Sequence, residues 1–79
     1  MIKHMNDRIA EHYSDVFNYI ISRIDNLYVA EEITQNVMEK AIRKNNFLRK
    51  KESLKSWMMT IASNAVNDYY REIKRINAT

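Results

Sequence analysis

The 79-residue sequence contains no cysteine, no glycine and no proline. Without cysteine the chain has no disulfide scaffold, no thiol nucleophile and no cysteine-ligated metal site. Because small secreted domains usually depend on disulfides, this absence favours a cytoplasmic protein. An all-β fold is disfavoured, since its tight turns need glycine and proline. The composition therefore predicts one small all-α domain whose turns are built from Asn, Asp and Ser.

The net charge of +3 is unevenly distributed along the chain. Residues 1–39 carry three basic and seven acidic side chains, a net charge of −4. Residues 40–79 carry ten basic and three acidic side chains, a net charge of +7. A basic half of this kind fits a polyanionic partner, and it equally fits a hydrated face that keeps a small domain in solution. No apolar run has the length of a signal peptide or a membrane span, so neither is expected.

Apolar side chains recur at helical spacing in three segments. The first stripe covers residues 9–24, and Asn6 or Asp7 is expected to cap its start. The last stripe covers residues 54–73 and opens after Ser53, a favourable N-cap residue. The last segment is the longest, at about six turns.

The middle segment has its apolar stripe over residues 29–42. Glu31 and Glu32 are expected at its start, where the helix dipole favours negative charge. Asn45-Asn46 should end it, since Asn readily adopts the left-handed conformation found after helices. Three antiparallel amphipathic helices joined by short loops predict a compact three-helix bundle.

Catalysis has little support in this sequence. Its two histidines, His4 and His12, are eight residues apart and miss the i, i+4 spacing of a helical metal pair, and neither has an obvious carboxylate partner. Glu31 and Glu32 are adjacent on a helix and therefore point to different faces. We predict no catalytic residue, no metal site and no cofactor, and expect that the protein is not an enzyme.

The loop between the second and third helices carries two large apolar side chains beside three basic ones. Phe47 and Leu48 precede Arg49, Lys50 and Lys51. One interpretation is that an apolar side chain folds back into the bundle. The other is a single-strand nucleic-acid contact, in which bases meet the apolar side chains and the cations hold phosphates.

The third helix carries a polar face. Its Asn side chains can pair with exposed base edges, and its Lys and Arg side chains with phosphates. The alternative is an ordinary hydrated helix face, although that leaves Tyr70 exposed opposite the core without a reason. The candidate residues of this face are Lys55, Asn64, Asn67, Arg71, Lys74 and Arg75.

The second helix carries an outward strip that is acidic and rich in hydrogen-bonding groups. Its residues are Glu32, Gln35, Asn36 and Glu39. The strip suits a basic or polar protein surface, although such a strip is also common on a hydrated helix.

These residues together resemble a known family. The run AEEITQNVMEKA over residues 30–41, the Phe47-Leu48 loop and the run SLKSWMMTIASN over residues 53–64 resemble region 2 of bacterial sigma factors of the sigma-70 family, most closely the extracytoplasmic-function type. The resemblance covers about residues 9–75 of a single helical domain spanning 1–79. The positions that match in order are Glu32, Gln35, Ser53, Leu54, Trp57, Ile61, Ala62 and Asn64.

The resemblance implies a role in transcription initiation. By analogy, the strip on the second helix would bind the β′ clamp of RNA polymerase. Phe47 or Leu48 would capture a flipped base of the melted minus-ten promoter strand, and Asn64 would help to recognise that base. The basic face of the third helix would hold the non-template strand, and Trp57 would mainly be core.

Typical family members continue into a second helical domain that reads the upstream promoter element. The length of this chain fits either an excised domain or a stand-alone co-sigma subunit that works with a separate sigma subunit carrying that domain, and it favours the second. The alternative function is a small helical protein-interaction regulator, of the antitoxin or anti-sigma type, without direct DNA contact. A third possibility is a protein that reads duplex DNA, which would need a recognition helix and usually a two-fold dimer.

Overall fold

Helices account for most of the described backbone. The computed structural model describes residues 4–48 and 53–78. These residues form the predicted all-α three-helix bundle, with the first helix divided in two, and no strand occurs among them. The elements are α1 (Met5–Ala10), α2 (Tyr13–Ile21), α3 (Leu27–Lys44), a 3₁₀ turn (Asn45–Phe47) and α4 (Leu54–Asn77).

The first helix is interrupted at residues 11 and 12. The His12 amide donates to the Ile9 carbonyl at 3.0 Å, three residues back, which tightens the chain before α2 begins. The predicted cap at Asn6 or Asp7 is wrong. The Asp7 amide already donates to the His4 carbonyl at 3.0 Å, so His4 is the N-cap residue and its side chain makes no capping bond.

Helix α3 begins earlier than its acidic pair suggests. Asn26 is the N-cap, and its Oδ1 accepts a hydrogen bond from the Val29 amide at 3.1 Å. This bond satisfies one of the free amides at the helix start. Glu31 and Glu32 therefore lie after the first turn instead of opening the helix.

The end of α3 also differs from the expectation. No described residue has a positive φ angle, so no left-handed Asn ends the helix. Asn45 keeps helical angles (φ −64°, ψ −18°), and its Nδ2 donates to the Ile42 carbonyl at 2.7 Å. That side-chain bond satisfies a carbonyl at the helix end, and the backbone continues into the 3₁₀ turn.

Helix α4 begins as predicted and extends past the bundle. The Ser53 Oγ accepts a hydrogen bond from the Ser56 amide at 3.0 Å, which confirms Ser53 as the N-cap. Twenty-four residues give a helix about 36 Å long. Its last buried residue is Val66, whereas Ile76 is 58% exposed, so the final turns project beyond the core.

Two contacts establish the directions of the helices. Near the start of α4, Lys55 Nζ lies 3.9 Å from Asp15 Oδ2 near the start of α2. Further along α4, the Tyr70 hydroxyl donates to the Arg23 carbonyl just after α2. Helices α2 and α4 therefore run in the same direction, as an up-down-up bundle requires. Each of α2, α3 and α4 packs against the other two, and α1 packs against α3.

In the apolar stripe of α3, Val29, Ile33, Val37 and Ala41 follow one another at four-residue steps, and only the last two of them are buried. The buried positions are Ala30, Thr34, Val37, Met38 and Ala41, whereas Val29 and Ile33 are only half-buried. The reason is geometric, because each i+4 step turns the stripe by about 40° and only alternating 4- and 3-residue steps stay on one face. The buried apolar residues of the bundle are Ile9, Val16, Ile20, Ile24, Ala30, Val37, Met38, Ala41, Leu54, Met58, Ala62 and Val66.

Thr34 is the buried polar residue on this core side of α3. Its hydroxyl donates to the Ala30 carbonyl at 2.7 Å, so burial leaves the group paired. Trp57, predicted as core, is half-buried and packs against the edge of the core.

Candidate functional site

The acidic strip predicted on the middle helix lies on one face of α3. Glu32, Gln35, Asn36 and Glu39 are all exposed, and steps of three and four residues place them together. They lie opposite the buried side of α3, which faces the other helices. We call these four residues the α3 strip. The structure brings all four together on one accessible surface.

Sequence reasoning missed an aromatic extension of the α3 strip. Tyr28 lies one turn before Glu32 and is 76% exposed. A depression beside it is lined by Tyr13, Tyr28, Glu31, Glu32 and Gln35. The signal was present in the sequence, because Tyr28 is four residues before Glu32 and helical residues at that spacing are neighbours.

The structure distinguishes the two apolar side chains of the loop. Phe47 is 69% exposed at the end of the 3₁₀ turn, and Lys44 Nζ lies 5.9 Å from the centroid of its ring. Leu48 is half-buried and packs against the core. Leu48 is thus the side chain that folds back, and Phe47 is the one presented to solvent. The flanking candidates Arg49, Lys50 and Lys51 lie outside the described residues.

Five of the six candidates on α4 share a face. Asn64, Asn67, Arg71, Lys74 and Arg75 are exposed and recur at helical spacing opposite the buried side of the helix. We call them the α4 polar face.

Lys55 lies on another side of α4. It precedes Asn64 by nine residues, a rotation of about 180° around the helix. Its ammonium lies 3.9 Å from the Asp15 carboxylate on α2. Lys55 therefore does not join the α4 polar face, although it was predicted with that face.

The two arginines of the α4 polar face are paired with carboxylates on the same helix. Arg71 Nη1 lies 2.9 Å from Asp68 Oδ1. Arg75 Nε lies 3.1 Å from Glu72 Oε2, and a second guanidinium nitrogen contacts the other oxygen. This bidentate contact lowers the pKa of Glu72 and raises the pKa of Arg75. With Lys74 included, three cations and two carboxylates leave this segment a net charge of +1.

Tyr70 has a structural reason for its position. Its hydroxyl donates to the Arg23 carbonyl, and its ring packs edge-on against Tyr69 with centroids 5.2 Å apart. The exposed Tyr70 is therefore no argument for a nucleic-acid surface. Next to this contact, the Arg23 guanidinium lies 5.0 Å from the centroid of the Tyr19 ring. A hydrogen bond with Ser63 lowers the pKa of Tyr19, while burial opposes the shift.

A groove between α3 and α4 joins the two candidate surfaces. Asn36 from the α3 strip and Asn64 from the α4 polar face line it, together with Lys40. Its apolar floor includes Val37 and Ile61. The two sets of residues, predicted separately for protein and nucleic-acid contact, therefore meet along one edge of the bundle.

Neither a metal-ligand cluster nor a membrane-spanning helix occurs in residues 4–48 and 53–78. No cluster of three or more His, Cys, Asp or Glu side chains there could hold a metal ion. His12 does have a carboxylate partner, contrary to the expectation, since its Nδ1 lies 3.2 Å from Asp15 Oδ2. No described helix is long and apolar enough to span a bilayer.

Comparison with known proteins identifies the family of this chain. The family model described as sigma-70 region 2 matches residues 8–76. The chain belongs to the sigma-70 region 2 family. This membership confirms the resemblance read from the middle helix and the start of the last one.

One curated relative is longer than this chain. The chain is 28% identical over 71 residues to "RNA polymerase sigma factor YlaC" of Bacillus subtilis (strain 168). The alignment covers 89% of this chain and 41% of the relative, so the chain spans less than half of that protein's length. No solved structure matches the chain.

Proposed function

We propose that this region 2 chain acts in transcription initiation by docking on RNA polymerase and contacting the melted minus-ten promoter strand. The observation that carries the proposal is that one small bundle presents exposed surfaces of two different chemical kinds. The α3 strip is acidic, whereas Phe47 is an exposed aromatic ring near a lysine and the α4 polar face carries three cations. Acidic and basic surfaces on one domain suit a protein partner and a polyanion, respectively.

The α3 strip is the proposed polymerase-binding surface, with the β′ clamp as its target. Two carboxylates and two amides on one helix face can accept and donate hydrogen bonds to a basic protein surface. All four side chains are exposed, so docking requires no rearrangement of the bundle.

Phe47 is the proposed contact for a flipped base of the minus-ten strand. Its ring is largely exposed and lies near a lysine, which suits stacking of a base beside its phosphate. Leu48 supports the turn from the core side, and the adjacent Arg49, Lys50 and Lys51 supply positive charge in the sequence.

The α4 polar face is the proposed track for the rest of the strand. Asn64 and Asn67 offer amide groups to base edges, and Arg71, Lys74 and Arg75 offer cations to phosphates. We expect a smaller contribution from Lys55, because it faces α2. As part of the same proposal, a separate sigma subunit reads the upstream promoter element, and the assembly works in the cytoplasm.

Binding to core RNA polymerase tests the docking surface. The variant Glu32→Ala with Gln35→Ala should abolish binding, because it removes half of the α3 strip without touching the core. A matched control is Ser14→Ala with Asn18→Ala, two exposed polar positions on α2, which should bind like the wild type. Unchanged binding of the strip variant would refute the docking assignment.

Promoter opening tests the loop. Phe47→Ala should leave polymerase binding intact and reduce open-complex formation, measured by permanganate reactivity of the minus-ten thymines. Phe47→Tyr keeps an aromatic ring and should retain opening. Normal opening by Phe47→Ala would return the loop to a purely structural role.

One observation favours a second candidate, a protein-interaction regulator without DNA contact. The arginines of the α4 polar face are already paired with carboxylates, which lowers the charge available to phosphates. Salt dependence separates the candidates. Binding of a labelled minus-ten strand should weaken steeply with salt if phosphates are contacted, and a hydrated face should show no such binding.

A further inference from the structure

The depression at the N-terminal end of α3 combines two aromatic rings with hydrogen-bonding side chains. Tyr13 comes from the start of α2, and Tyr28, Glu31, Glu32 and Gln35 come from α3. Two helices therefore build it, and it continues directly into the α3 strip through Glu32 and Gln35. In the described part of the chain, neither Glu31 nor Glu32 takes part in an ion pair.

The bundle itself does not require an exposed tyrosine here. Tyr28 is 76% exposed, so its ring contributes little to the core. Tyr13 forms one side of the depression. Its ring is held in place by stacking on Phe17, with ring centroids 6.2 Å apart and planes 12° from parallel. A fixed ring and an exposed ring beside carboxylates are suited to a planar cation.

The surrounding charge indicates what kind of partner fits. From Leu27 to Glu39, α3 carries three carboxylates and no cation, a net charge of −3. Such a surface repels nucleic-acid phosphates and attracts basic protein side chains. A guanidinium can stack on a tyrosine ring while donating two hydrogen bonds to a carboxylate, which an ammonium cannot do.

We propose that this depression binds an arginine side chain of the protein that docks on the α3 strip, with Tyr28 and Glu31 as its specific contacts. The inference rests on the proposed docking of the α3 strip on RNA polymerase and extends that surface by one helical turn. Tyr28 supplies the ring face, and Glu31 supplies the carboxylate. The docking protein must therefore carry an arginine that lies closer to the N-terminal end of α3 than the part of its surface that contacts Glu39.

Affinity for core RNA polymerase, measured by titration of the labelled chain, tests the proposal. Tyr28→Leu keeps apolar area and removes the ring, so affinity should fall about three- to fivefold. Tyr28→Phe keeps the ring and should bind within about twofold of the wild type. Glu31→Gln should weaken binding about tenfold, because it replaces a charge-assisted hydrogen bond by a neutral one.

Two further variants keep the outcomes distinct. Leu27→Ala changes a neighbour that is 55% exposed and should leave binding unchanged. Glu39→Ala lies on the α3 strip outside the depression and should weaken binding. Circular dichroism melting of each variant checks the fold.

Each pattern of results has one meaning. If Glu39→Ala weakens binding while Tyr28→Leu and Glu31→Gln do not, the arginine site is refuted and the docking surface stands. If none of the three weakens binding, the docking proposal fails as well. Equal losses for Tyr28→Leu and Tyr28→Phe would overturn the ring contact, because they would assign the effect to the hydroxyl.

Discussion

The carboxylates of the α4 polar face should restrain its binding to a single strand. Asp68 and Glu72 each hold an arginine three residues later, and both pairs are exposed. Exposed pairs are weak, so a phosphate can displace the carboxylate, but the carboxylate then remains nearby as a repelling charge. The double variant Asp68→Asn with Glu72→Gln removes both negative charges and should strengthen strand binding with little effect on folding.

The size of the effect follows from the charge count. Residues 68–75 carry a net charge of +1 in the wild type and +3 in the double variant. Each phosphate contact to a single strand contributes about 0.7 to the slope of log affinity against log salt. If Lys74 alone is available in the wild type and three cations in the variant, the slope steepens by about 1.4. Between 50 and 200 mM salt, affinity should then fall roughly sevenfold more in the variant.

Fluorescence anisotropy of a labelled minus-ten strand, with the chain bound to core polymerase, measures both slopes. The control Asp7→Asn with Asp25→Asn makes the same change in net charge at exposed positions on α1 and in the α2–α3 loop. The control should keep the wild-type slope, because neither Asp7 nor Asp25 is paired with an arginine of the α4 polar face. Identical slopes for the wild type and the Asp68 and Glu72 variant would refute the reasoning. Equal steepening in the control would assign the effect to net charge instead of the pairs.

Three further predictions concern stability and titration. Met58→Ala should lower the free energy of unfolding by about 2–5 kcal/mol in urea titrations, since Met58 is fully buried, whereas Met58→Leu should cost under about 1.5 kcal/mol. Thr34→Val should keep or raise the melting temperature, because the Ala30 carbonyl retains its helical partner, whereas Thr34→Ser should cost about 1 kcal/mol by losing a buried methyl group. Arg75 lowers the pKa of Glu72 below its ordinary 4.5, so the stabilisation is complete above pH 4.5 and is lost as pH falls through the folded-state pKa. Carboxyl NMR titration should show this lowered pKa, and Arg75→Gln should return it to 4.5; an unshifted Glu72 in the wild type would contradict the contact.

Local signals predicted the parts of the structure that depend on neighbours in sequence. Ser53 caps α4 through the amide three residues later, which is a contact within one turn. The Asp68–Arg71 and Glu72–Arg75 pairs have the same i, i+3 spacing, so they too are predictable from the sequence. Asn26 lies in the gap between the first two apolar stripes, and the structure gives it the role of N-cap.

The helical bundle, its family and the strip of exposed polar groups on the middle helix could all be predicted from the amino-acid sequence. Periodicity and capping act over three or four residues, and they are encoded wherever those residues occur.

The packing of the helices determines which of two adjacent apolar residues faces solvent, and it leaves Phe47 exposed and Leu48 against the core. It also paired Lys55 with Asp15 and bound Tyr70 to a carbonyl 47 residues away. Such contacts depend on how helices pack, and packing is a property of the whole bundle that no single segment encodes.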